Sequence, residues 1–434
     1  MANDSPKDRP VPGAAPLHSV ACGSHRLLMA AVERDSGCLE TGRYLISFRD
    51  GMLDEGIETL KACQFRVADA RDFDAQAVNL EEAGDAEAMI FPELGVVLLG
   101  GDALESRGMS IHDDAFKCPA IEIIEPEYFA FAENSEYLRG FLSAANAIAR
   151  DLGADRPECD GDDDAPIKKD ITWGLSRCKV AKSRFSGASI KVAVLDTGMD
   201  LNHPDFAGRT VESRSFVGEP VQDMNGHGTH CIGTATGPRK AAGKTPGYGV
   251  AFEAAIFAGK VLTNAGGSTG GSVLAGMNWA VANRCEVISM SLGSQSPVQA
   301  AYTRAGAAAL EKGLLVIAAS GNDNAPTGAP ANSPTIFSVG SLDPGLARSN
   351  FSNVGKVEIA APGRDVFSAW PRPVNYKTIS GTSMATPHVA GCAALWAQSD
   401  ASLRGRKLWR RLIESAQSLP LSEEEVGAGL VQAP

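Results

Sequence analysis

At 434 residues the chain exceeds one small domain, so two or three folding units are expected. A formal charge of −12 speaks against a nucleic-acid partner, and no run of eighteen or more apolar residues exists to cross a membrane. Hydrophobic residues at 44% and 46 glycines suit a large α/β core with many tight turns. Residues 1–16 are rich in Pro, Asp and Lys without an apolar signal core, and nine cysteines, an odd number, lie scattered without paired spacing. These features predict reduced thiols and a cytoplasmic location, with export by another route left open.

Residues 1–40 are expected to be flexible or loosely docked. Residues 43–48 alternate as a half-buried strand and run into the turn Asp50-Gly51. Ile57 and Leu60 then open a short helix that ends near Cys63, and residues 96–99 and 121–124 read as further strands. This pattern makes residues 41–132 a small α+β unit. Next, Tyr137, Leu138, Phe141, Leu142, Ala145, Ile148, Ala149 and Leu152 recur at helical spacing. The polar face of that helix is not basic, so it is expected to pack on a neighbouring domain rather than a membrane. The acidic, Gly- and Pro-containing residues 153–164 read as a linker, completing a connecting region over 133–169. Within it, Asp160-Gly161-Asp162-Asp163-Asp164 fits a solvated linker better than a calcium site.

From residue 170 onward short apolar runs alternate with helical patterns, at 254–262, 273–282, 287–291, 300–312, 314–318 and 337–341, closing on a strand at 427–431. That alternation predicts a parallel sheet with helices on both faces. The buried strand 191–195 ends in Asp196-Thr197-Gly198, at the carboxyl edge where open α/β sheets build their sites. Asn225-Gly226-His227-Gly228-Thr229-His230 sets a histidine between glycines. Ser383 stands at the mouth of a buried helix over 389–396, with Pro387 expected in its first turn. Alone, a serine there is an ordinary cap. With His227 and Asp196 it completes the nucleophile, base and orienting carboxylate of serine catalysis.

The segments VLDTGMD, NGHGTHCIGT and SGTSMATPHVAG resemble the three signature blocks of subtilisin-family serine proteases, in that family's order of Asp, His and Ser. The resemblance runs from about Ile171 to the C-terminus. It implies a subtilisin-like α/β fold and a serine endopeptidase with Asp196, His227 and Ser383 as its triad. Asn322 and the Ser383 backbone N–H would then form the oxyanion hole. The same likeness assigns Ser291, Leu292, Gly293, Ala319, Ser320 and Gly321 to the walls of the pocket for the residue before the scissile bond. Gly266, Gly267 and Ser268 become the edge that pairs with an extended peptide, and Gly328 leaves room for a large apolar side chain. Residues 41–132, with RYLISFRDG and AIEIIEPEYFAFA at their ends, resemble the propeptide domain that precedes subtilisins. Protein or peptide substrates and this propeptide are therefore the expected partners, and a self-inhibited, self-processing zymogen is the expected form. The chemistry needs no cofactor. Asp205 matches a family calcium ligand, but the stretch GPRKAAGKTPGYG departs from the calcium loop, so structural calcium stays open and no metal residue is assigned. Structural roles are expected for His203, His230 and His388, and packing for Cys231, four residues after His227. The rival from another class is a catalytically silent subtilisin-fold scaffold or binding protein.

Overall fold

The computed structural model describes residues 16–33, 39–132, 170–241 and 245–434. After helix α1 (Ser24–Glu33), a small sheet is built from β1 (Glu40–Phe48), β2 (Val67–Asp69), β3 (Ala88–Phe91), β4 (Val96–Leu99) and β5 (Ile121–Ala132), with helix α2 (Leu53–Ala62) following β1. β1 lies at its centre, antiparallel to both β4 and β5. β3 and β4 read as unbroken apolar runs because both of their faces are covered. Leu45, Met89, Phe91, Val96 and Leu98 pack on one side against the larger unit. Ile46, Phe48, Ile90, Val97 and Leu99 pack on the other against Ile57 and Leu60 of α2.

The expectation of a loose leader fails over residues 24–33. Leu27 and Ala31, four apart on α1, pack with Cys22 against Phe129 and Phe131 of β5. Residues 1–15, the helix expected at 137–152 and the acidic stretch 153–164 lie outside the described residues.

The larger unit comprises β6 (Lys191–Asp196), β7 (Val211–Ser215), α3 (His227–Thr236), β8 (Ala255–Lys260), β9 (Gly267–Thr269), α4 (Gly270–Ala282), β10 (Val287–Met290), β11 (Leu292–Gly293), α5 (Ala300–Glu311), β12 (Leu315–Ala319), β13 (Phe337–Leu342), β14 (Ile359–Pro362), β15 (Val366–Ala369), β16 (Tyr376–Ile379) and α6 (Thr382–Ser399). Seven strands form a parallel sheet in the order β14-β13-β12-β10-β6-β8-β7. Along β6, Val192 and Val194 face the core shared with α3 and α6, whereas Ala193 and Leu195 face the core shared with α4 and α5. The small sheet covers the outer side of α4 and α5. These helices are therefore buried on two sides, which is why α4 is apolar nearly all round.

Two local readings are corrected. Residues 427–431 make only isolated bridges, Gly427 to Ile359 and Leu430 to Ala360 and Gln417, because Gly427 (φ 56°) and Gly429 (φ 110°) interrupt any extended run. Helix α6 starts at Thr382, so Pro387 falls in its second turn rather than its first.

Candidate active site

The sheet and its crossovers bring three chain segments to one carboxyl edge. Asp196 ends β6 and His227 opens α3. The turn into α3 has φ 104° at Gly226, where a Cβ would also strike the Trp370 ring. His227 Nδ1 donates to Asp196 Oδ1 at 2.8 Å, and the Thr197 N–H donates to the same oxygen at 2.7 Å. With its proton on Nδ1, the imidazole presents a lone pair at Nε2, which is buried and has no hydrogen-bond partner among the described residues. Burial alone would lower the His227 pKa. The Asp196 charge and its hydrogen bond reverse this and hold the histidine well above its ordinary value.

Ser383 is the second residue of α6, and its Oγ donates to the Ser291 carbonyl at 3.1 Å rather than to His227. Pro387, four residues on, has no N–H to give the Ser383 carbonyl. That carbonyl is taken instead by Ser291 Oγ at 2.8 Å and by the Cys231 thiol at 3.5 Å. Ser291, read from the sequence only as a pocket wall, thus anchors Ser383 twice. Cys231 is fully buried with its sulfur 3.9 Å from His227 Nδ1, and burial pushes its thiol up to about 11, so it stays protonated. Asn322 follows β12 across Gly321 (φ 119°), and its Oδ1 accepts from the Thr382 N–H at 2.9 Å and the Thr382 hydroxyl at 3.0 Å. The residue beside Ser383 therefore orients this amide.

The predicted substrate edges flank a single groove, and β5 fills it. Phe131 pairs with Gly267 and Ala130 with Ser268 on one side, the Ala132 N–H reaches the Gly266 carbonyl at 2.8 Å, and Leu292 and Gly293 pair with Ala132 and Phe131 on the other. Ala319, Ser320 and Gly321 line the end of β12, with the Ser320 carbonyl accepting from the Gly328 N–H at 3.1 Å. Gly328 is not an open floor: a Cβ there would lie 2.5 Å from the Ser294 carbonyl, so its bareness lets two backbones meet.

The other histidines are structural. Burial lowers His230 to about 3 and His388 to about 4, leaving both neutral, while His203 bonds the Asn375 carbonyl at 2.8 Å. Asp205, the expected calcium ligand, accepts at Oδ2 from the hydroxyls of Tyr248 (2.6 Å) and Tyr376 (3.0 Å). Burial, and next the Asp205 charge, raise both phenols, Tyr376 to about 12, so both keep their protons. Among the described residues only Asp196, His227 and Cys231 bring three His, Cys, Asp or Glu ligand atoms within 4.8 Å of one another. A hard cation needs several oxygen acceptors, and the proton-donating surroundings of Asp205 do not fit one.

The subtilase family model matches residues 187–429, and the chain belongs to this family. It is 41% identical over 270 residues to Subtilisin Savinase of Lederbergia lenta, covering 61% of this chain and 97% of the relative. An alkaline protease of Alkalihalobacillus alcalophilus is 40% identical over 274 residues, covering 62% and 70%. Subtilisin DY of Bacillus licheniformis is 38% identical over 250 residues, covering 56% and 88%. The protein is thus a subtilisin-like serine endopeptidase acting on proteins or peptides, and it needs no cofactor for catalysis. The relatives are secreted, extracellular subtilisins, which overturns the expected cytoplasmic location. Thiols misled the compartment reading because Cys22, Cys178, Cys231, Cys285 and Cys392 are buried packing groups, which say little about redox surroundings. No described helix is long and apolar enough to cross a membrane.

Two outcomes follow from this geometry. Because the neutral imidazole is the form that accepts a proton, kcat/KM should rise with pH through a His227 pKa lying above the ordinary ~6.5. Asp196→Asn should move that limb to lower pH and cut kcat by about 10⁴; an unmoved limb would dissociate Asp196 from His227. The sign for stability is opposite. A raised folded pKa stabilises fully below the unfolded value, and this contribution disappears as pH climbs through the folded one. For Asp205, Asp205→Asn should destabilise by about 2–3 kcal/mol through its two weakened hydrogen bonds. Thermal melts should show the same loss with calcium or with a chelator. A loss confined to calcium-containing buffer would restore the cation.

Proposed function

We propose that His227 takes the Ser383 proton as the hydroxyl attacks a peptide carbonyl, while Asp196 holds the imidazole and stabilises its charged form. The leaving amine takes that proton from His227, and water activated by the same imidazole releases the acyl group from Ser383. Asn322 and the Ser383 backbone N–H stabilise the oxyanion. For this the Ser383 hydroxyl must leave the Ser291 carbonyl for the unpartnered Nε2 of His227.

Residues 41–132 act as a propeptide that inhibits residues 170–434 until cleaved. The observation carrying this reading is the insertion of Phe129–Ala132 between Gly267–Thr269 and Leu292–Gly293, where a substrate strand would lie. Two carboxylates on the same strand support it. Glu125 accepts from the Ala300 and Ala301 N–H groups at 2.9 and 2.7 Å, at the start of α5. Glu127 accepts from Gly271 at 2.6 Å, at the start of α4. Burial raises the Glu125 pKa, and the N–H groups at the start of α5 oppose that rise. Glu127 is also buried against Arg43, which bonds it at 2.6 and 2.9 Å and donates to Thr269 Oγ1 at 2.8 Å. Breaking such a pair typically costs about 3–5 kcal/mol, because a charge is left buried.

Purified full-length protein should cut itself between about residues 132 and 137, releasing activity, as read by intact mass. Ser383→Ala should stay intact and lose hydrolysis by on the order of 10⁶. Glu127→Ala should show activity sooner than wild type. Trimming of isolated Ser383→Ala protein at the same bond would exclude self-processing, and unaltered activation of Glu127→Ala would exclude the anchoring role.

A further inference from the structure

Asp223 is wholly buried, lies four residues before His227 and takes no part in the chemistry described above. Its carboxylate accepts five hydrogen bonds. Oδ1 receives the Thr197 hydroxyl at 3.0 Å and the Asn225 and Gly226 N–H groups at 3.0 and 2.8 Å. Oδ2 receives the Thr229 N–H at 2.9 Å and its hydroxyl at 2.7 Å. One side chain therefore holds the turn before His227, the first turn of α3 and the residue after Asp196.

Its partners extend the brace. The Gly228 N–H donates to Thr197 Oγ1 at 2.8 Å, and the Asp200 N–H donates to Thr229 Oγ1 at 3.0 Å. Two N–H groups of the first α3 turn, which have no partner inside a helix, are thereby taken up: that of Gly228 by the residue after β6 and that of Thr229 by Asp223 itself. A negative charge there also favours the helix start. Buried Lys260 donates to the Thr197 carbonyl at 2.6 Å, and its ammonium feels Glu219 first, then Asp223 and Asp196. The His227 imidazole itself faces the Asp196 carboxylate on β6 and the Cys231 thiol on its own helix.

We propose that Asp223 is a positioning residue: it sets the height and rotation of the His227 imidazole against Asp196 and so tunes the base. This rests on the triad reading, in which His227 is the base. A misplacement of about 1 Å at a reacting group can cost on the order of 10²-fold in rate. Asparagine at 223 would turn an N–H₂ toward groups that are themselves donors.

The test uses Asp223→Asn, Thr229→Val and Thr229→Ser in the full chain after self-processing, with intact full-chain Ser383→Ala as the control. Asp223→Asn should lower kcat by about 10–100-fold with KM within about twofold, and should shift the acid limb of kcat/KM to lower pH. Thr229→Val, which removes one hydroxyl from Asp223, should shift both readouts in the same direction by less, and Thr229→Ser should restore them. If Asp223→Asn does not fold, the threonine pair decides. Wild-type kcat and pH limb in Asp223→Asn, or in Thr229→Val, would overturn the positioning role while leaving the triad intact. Persisting hydrolysis in Ser383→Ala would instead overturn the triad itself.

Discussion

The 2.8 Å bond from His227 Nδ1 to Asp196 Oδ1 joins the end of a strand to the first residue of a helix 31 positions later. Neither end is rigid by itself. Strand β6 is held by β8 and β10 on both edges, and its alternate residues enter two separate cores. Helix α3 lies in the core on one of those faces with α6, which carries Ser383. The pairing of carboxylate and imidazole, and the placing of the Ser383 helix in the same layer, are thus properties of the packed sheet and of one helix layer. The bond also explains the electrostatics. In a site this buried a lone histidine would be neutral and weakly basic, and the adjacent carboxylate makes it a stronger base.

The groove beside this pair is bounded by two short backbone edges, β9 and β11, and unpaired edges invite another strand. Here β5 satisfies them with main-chain bonds, while Glu125 and Glu127 on the same strand reach two helix starts. The helices so contacted, α4 and α5, are those clamped between the small sheet and the parallel sheet. Strand insertion and layer packing are therefore one interface, and detaching the strand exposes apolar helix surface as well as the groove.

Much of the fold was legible because its signals are local. Residues 191–196, 287–290 and 315–319 are short apolar runs bounded by turns, and such runs form strands wherever both faces are covered. The three chemistry-bearing segments were legible as compact motifs. What escaped depends on contacts distant in sequence. The start of α6 could not be placed from Pro387, because Ser291 and Asn322, far upstream, hold its first turn. The docking of α1 depends on Phe129 and Phe131, a hundred residues away. Gly427 and Gly429 looked like strand residues until their positive φ was seen. An aspartate ahead of a turn is a signal shared by many loops, and its five donors set Asp223 apart.

The most direct measurement is active-site labelling of the self-processed enzyme with a fluorophosphonate, followed by peptide mapping. One label per molecule on Ser383, absent from Ser383→Ala and forming faster as pH rises through the His227 pKa, is the predicted result. Labelling at Ser291, or an enzyme that hydrolyses peptides without reacting at Ser383, would contradict it.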